Sequence, residues 1–163
     1  MQNDDGQNAT PESDLAEEQT VTLRVVGVAR GAPGLSGAGI IIVDREGVVR
    51  EQVSRYLGVG SALEAQLQAL ALALRYARPY APAPLKLVLA NDTIVRQVGG
   101  QQPPRHPAVL QALEELDLLL DEFGGATYHL GSHAEMAEAE RLANLGVDTR
   151  LNPFPTYNLP LPR

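Results

Sequence analysis

The chain has 163 residues, 44% apolar and 20% charged, which fits one ordinary domain around a single core and excludes a multidomain machine, a fibre or a wholly disordered polymer. No apolar run approaches the roughly 18 residues a bilayer span needs, and the N-terminus lacks the basic flank and apolar stretch of a secretory signal. The absence of Cys excludes disulfides, thiolate metal sites and cysteine nucleophiles and agrees with a reducing compartment. A cytoplasmic protein with no membrane partner is expected.

The net charge of -7 is unevenly placed. Residues 1–20 carry six acids (Asp4, Asp5, Glu12, Asp14, Glu17, Glu18) and no base, so residues 21–163, with 13 bases and 14 acids, are near neutral. Residues 1–20 hold little that could be buried, and an acidic disordered tail is expected there. A single domain is expected over 21–148. Residues 149–163 hold Pro153, Pro155, Pro160 and Pro162, a composition that favours extended backbone and reads as a C-terminal extension.

Val21 to Ala29 is β-rich, and Ser36 to Val43 ends in Ile40-Ile41-Ile42-Val43, too apolar for an exposed strand. Asp44-Arg45-Glu46-Gly47 makes a turn with Gly where positive φ is wanted, and Val48 to Leu57 continues as a third strand. The glycines at 31, 34, 37 and 39 precede a strand rather than a helix, so they fail as a phosphate-binding loop and read as a flexible hairpin connection. In Ser61 to Ala77, Leu63, Leu67, Leu70 and Leu74 recur at spacings of three and four behind Ser61 as N-cap, which predicts an amphipathic helix. Leu85–Leu89 is a short buried strand, Thr93–Val98 a brief helix with Asp92 as a candidate cap, and Ala108–Phe123 a second long helix. Ala126–Leu130 is a fifth strand, and Ala134–Leu145 a last helix closed by Gly146. The order β-β-β-α-β-α-α-β-α predicts an α/β domain with a mixed five-stranded sheet, three antiparallel strands followed by αβ crossovers, and helices on its faces.

Four local strings in this order resemble ribonuclease H of the ribonuclease HI type. Val26-Gly27-Val28-Ala29-Arg30-Gly31-Ala32-Pro33-Gly34 through Gly39 is similar to the family's first hairpin, and Ser61 through Leu70 to its first helix. Leu87 through Gln97 is similar to its fourth strand and short helix, and Met136 through Ala143, with Asn144 after it, to its last helix. The resemblance implies the ribonuclease H-like fold and an activity in which four carboxylates hold two Mg²⁺ ions for phosphodiester cleavage. Carried over by position, those carboxylates fall on Val26, Gln66, Ala90 or Asn91, and Glu140. Only Glu140 is acidic, so this is expected to be a degenerate member with vestigial positions and no catalytic residue, metal or cofactor.

Neighbouring acids offer little compensation. Glu64 is about 200° around the helix from Gln66. Asp92 and Glu140 supply at most two negative charges against four positive ones. The expectation is therefore an inactive ribonuclease H-fold binding or interaction module, with a protein partner or self-association favoured. A divergent Mg- or Mn-dependent nuclease using Asp92 and Glu140 on RNA·DNA hybrid or other nucleic acid is the alternative, and a structural protein-interaction domain without a nucleic-acid role is the third reading. From His106 to Glu140 there are eight acids and no Lys or Arg, unlike the basic stripe of a nucleic-acid binder. His129 and His133 flank the end of the fifth strand and read as structural or solvent-facing, whereas Arg30, Arg96 and Arg141 are candidates to flank the vestigial site, with Arg141 suited instead to pair with Glu138 three residues earlier.

Overall fold

A computed structural model describes residues 19–104 and 107–151. Its elements are β1 (Val21–Gly31), β2 (Gly34–Val43), β3 (Val49–Gly60), α1 (Ala62–Tyr76), a 3-10 turn (Arg78–Tyr80), β4 (Leu85–Leu89), α2 (Asp92–Val98), α3 (Pro107–Leu120), β5 (Ala126–Leu130) and α4 (His133–Leu151). The five strands form one sheet in the order β3-β2-β1-β4-β5. The β1–β2 and β2–β3 pairs are antiparallel, whereas β1–β4 and β4–β5 are parallel. This is the expected mixed sheet. The expected acidic tail lies almost wholly outside the described residues, as does most of the C-terminal extension.

Alternation along the strands distributes the apolar residues between two layers. Leu23, Val25, Ile40, Ile42, Leu87 and Leu89 enter one core with Leu67, Leu70 and Leu74 of α1. Val26, Ile41 and Val88 enter a second, smaller core with Met136, Ala139, Leu142 and Ala143 of α4. Both faces of β2 are thus covered, which accounts for its uninterrupted isoleucine run.

α1 begins where its sequence says it should. The Ser61 hydroxyl accepts from the Glu64 N–H at 3.0 Å, and the Glu64 carboxylate accepts from the Ser61 N–H at 2.8 Å. This reciprocal pair satisfies two otherwise orphaned donors. Ser61→Ala is expected to lower unfolding free energy by about 1 kcal/mol in urea denaturation without altering the folded spectrum.

Three expectations need correction. Gly146 does not end the last helix, which runs on to Leu151 and so into the stretch read as an extension. A Cβ at Gly146 would stand 2.5 Å from the Arg55 carbonyl oxygen, so this glycine is what lets α4 approach β3. Gly37 and Gly39 are likewise not a flexible connection but lie inside β2 under α4. A Cβ at Gly37 would meet the Ala143 carbonyl oxygen at 2.2 Å, and one at Gly39 the Ala139 oxygen at 1.9 Å. Finally, β3 extends to Gly60, with a register shift opposite Ser36/Gly37 and positive φ at Gly58. A bulge of this kind bends the strand and hides its end from a simple pattern reading.

Candidate functional site

β1 is the central strand, and it stops pairing with β4 at Val25↔Leu89. Val26 is the next residue, still opposite Gly39 of β2. It is only 6% exposed and packs with Met136, Ala139, Leu142 and Ala143. The position at the middle of the sheet is therefore an apolar contact with α4. Glu140 is exposed beside the buried Ala139 on that same helix, so Val26 and Glu140 belong to one face of the sheet.

α1 reaches this level from the opposite face. Gly27 permits it, because a Cβ there would lie 2.4 Å from the Ala65 carbonyl carbon and oxygen and 2.6 Å from the Gln66 nitrogen. Gln66, half-buried, is thus held against β1 next to Val26. On β4 the register, carried one residue past Leu89, sets Ala90 level with Val26. Asn91 serves α2 instead, its side-chain oxygen accepting from the Ile94 N–H at 3.0 Å as the helix cap. Asp92, considered as the cap from sequence, is an exposed first-turn residue in an ion pair of 2.5 Å with Arg96. A carboxylate in that turn still suits the helix dipole.

The cations around these positions are neutralised from within the chain. Arg30 donates to the carbonyl and side-chain oxygens of Asn144 at 3.2 and 3.3 Å and pairs with Asp148 at 2.9 Å. Arg141 pairs with Glu138 at 2.6 Å, and its hydrogen bond holds the Glu138 carboxyl below the ordinary carboxylate range. His129 contacts the Thr127 hydroxyl at 2.9 Å on the exposed side of β5, and His133 is the exposed first residue of α4. The clamp of Arg30 on α4 has no local signal in the sequence, since Arg30 and Asp148 are 118 positions apart and become neighbours only through the fold.

Together, Val26, Gln66, Ala90 and Asn91 present one buried hydrocarbon, an amide, a methyl group and an amide already used as a helix cap. These residues do not fit a pair of magnesium ions, which require hard anionic oxygens to offset four positive charges. Among the described residues there is also no group of three or more His, Asp or Glu placed to share a metal ion. No helix among them is long and apolar enough to cross a membrane.

The profile of one family, described as Reverse transcriptase-like, matches residues 25–146, more than half of the chain. A search of curated proteins finds no significant match. Among solved structures, ribonuclease H1 of the halophilic archaeon Halobacterium salinarum is 22% identical with a TM-score of 0.75, covering 79% of this chain and 98% of its own. The N-terminal ribonuclease H domain of a Mycobacterium tuberculosis protein, solved as a fusion with maltose-binding protein, is 23% identical with a TM-score of 0.74 over 79% and 99%. LC11 ribonuclease H1, isolated from compost by a metagenomic approach, is 22% identical with a TM-score of 0.77 over 82% and 99%. With the profile covering residues 25–146 and these structures superposing at TM-scores of 0.74 to 0.77, the chain belongs to the Reverse transcriptase-like family and carries the ribonuclease H fold.

Proposed function

We propose that the chain is a ribonuclease H-fold protein that does not hydrolyse nucleic acid and acts as a binding module, a protein or a second copy of itself being the favoured partner. The single observation that carries this reading is Val26, a buried β-branched hydrocarbon at the centre of the sheet, at the position where the resemblance to ribonuclease H puts the first carboxylate. An apolar side chain neither ligates a cation nor hydrogen-bonds a water standing in for one. The neutralised cations support the second half of the proposal. Arg30, Arg96 and Arg141 are each paired with a carboxylate of the chain, so these three cations are not free to meet a phosphate backbone, which is the main source of nucleic-acid affinity.

The alternative is a divergent metal-dependent nuclease built on Asp92 and Glu140. A solved complex of LC11 ribonuclease H1 with RNA/DNA hybrid makes such a hybrid the substrate to try. The expected result is that hybrid incubated with the chain and Mg²⁺ or Mn²⁺ decays at the rate of a protein-free control. Cleavage that coelutes with the purified chain and disappears in Asp92→Ala or Glu140→Ala would establish the nuclease reading instead.

A further inference from the structure

The positive charges of the folded chain are matched almost everywhere except at one place. Arg105 and Arg163 lie outside the described residues; of the other ten arginines, six pair with carboxylates, and Arg55 and Arg150 lie over the rings of Tyr76 and Tyr56. Arg24 and Arg45 have no such partner among the described residues, nor does Lys86, the only lysine of the chain. These three residues fall on one surface. α4 packs on β1, β2 and β3, and among the described residues no helix covers the outer part of that sheet face, at the ends of the strands remote from Val26. An open cleft of about 870 Å³ lies there, lined by residues that include Arg45, Lys86, Thr22, Thr127 and His129.

Register and alternation place the groups. Thr22 and Lys86 are partners on adjacent strands, so their backbones are about 4.8 Å apart. Leu23 and Val25 turn into the α1 core while Val26 turns to the α4 side, so Thr22 and Arg24 share the uncovered face, about 7 Å apart along β1. Thr127 is opposite Lys86 on β5, and His129 is opposite Val88, which in turn is opposite Arg24. The Arg24 Nε is shielded from solvent and makes no hydrogen bond. Among the described residues the one carboxylate lining the cleft is already committed: Asp44 accepts from Arg50 Nε at 2.6 Å and from the N–H groups of Glu46 and Val48 at 2.9 and 3.0 Å.

We infer that this cleft is a binding site for the phosphate group of a small phosphorylated ligand, at the end of the strands remote from Val26. The Arg45 guanidinium, the Lys86 ammonium and the hydroxyls of Thr22 and Thr127 line the cleft and are donors that bind a compact oxyanion through short charge-assisted hydrogen bonds. The volume suits a small molecule. Among the described residues no Phe, Trp or Tyr lines the cleft, so they supply no platform on which nucleic-acid bases stack, and the adjoining turn carries Asp44 and Glu46, which oppose a long polyanion. The site is thus shaped for one or two phosphates rather than for a strand.

Titration of the full chain with pyrophosphate, followed by calorimetry, tests this. Saturable binding is expected, weakened about tenfold or more by Lys86→Gln, an exposed substitution that leaves the core untouched, and similarly by Arg45→Gln. Arg75→Gln, on the helical side of the molecule, serves as the control and should leave binding unchanged. Affinity for pyrophosphate should exceed that for a single-stranded oligonucleotide at equal phosphate concentration. Absence of saturable binding at millimolar pyrophosphate, or binding unchanged by both Lys86→Gln and Arg45→Gln, would overturn the site. Tighter oligonucleotide binding lost in the same two variants would overturn the assignment to a small ligand.

Discussion

Replacing Gly39 by alanine is expected to destabilise the domain by about 3 kcal/mol or more, enough to remove a large part of the net stability of a chain this size. The reason is geometric. The added Cβ would stand 1.9 Å from the Ala139 carbonyl oxygen and 2.6 Å from the Ala143 nitrogen, both helix backbone atoms that have no rotamer to escape into. α4 would have to lift from β2, and with it would go the packing of Leu142, Met136 and Val26. Gly47→Ala is the matched comparison. Its Cβ would meet nothing within 4 Å, but φ there is +83°, so its smaller cost would report backbone strain alone, about 1 kcal/mol. Urea unfolding of the two variants should separate by more than twofold in the change in free energy. Equal losses would show that α4 does not rest on β2 as closely as described.

The second large effect concerns the missing carboxylates. Val26→Asp alone should cost about 3 kcal/mol or more, because it places a charge at a position 6% exposed among Met136, Ala139 and Leu142 with no counter-ion. Val26→Asp, Gln66→Glu and Ala90→Asp combined with the native Glu140 would bring four carboxylates together. Without metal their mutual repulsion should keep the variant less stable than the native chain. With Mg²⁺ at roughly 100 times its dissociation constant, binding to the folded state alone would return about 2.7 kcal/mol. The expected observation is a melting temperature that rises with Mg²⁺ in the triple variant and not in the native chain. A triple variant indifferent to Mg²⁺ would mean that Val26, Gln66, Ala90 and Glu140 do not face a common point.

Much of this architecture is legible in the sequence alone. The leucine spacing on α1 and its Ser61–Glu64 cap are local signals, and local signals survive translation into structure. The Asp44–Gly47 turn is equally plain, and Gly47 has the positive φ that its place requires. What sequence does not reveal is long-range. Gly37, Gly39 and Gly146 are explained by atoms of another element more than 80 positions away, so nothing in their own neighbourhoods distinguishes a close approach from a loop or a helix stop. The third carboxylate position illustrates the same division. Sequence leaves Ala90 and Asn91 open because alignment with flanking residues can slip by one, whereas strand register sets Ala90 level with Val26 and the capping bond commits Asn91 to α2. The meeting of Arg45 and Lys86 at one cleft is equally hidden, because the two are 41 positions apart and come together only through the fold.

Whether the face bearing Val26 and Glu140 retains any capacity for a divalent cation decides between a binding module and a nuclease. Calorimetric titration of the full native chain with Mn²⁺, an ion suited to carboxylate and carbonyl oxygens, addresses this without reference to a substrate. No saturable site at sub-millimolar Mn²⁺ is expected, with Glu140→Gln indistinguishable from the native chain. Saturable Mn²⁺ binding that is lost in Glu140→Gln would contradict the inactive reading and restore a metal to this member of the family.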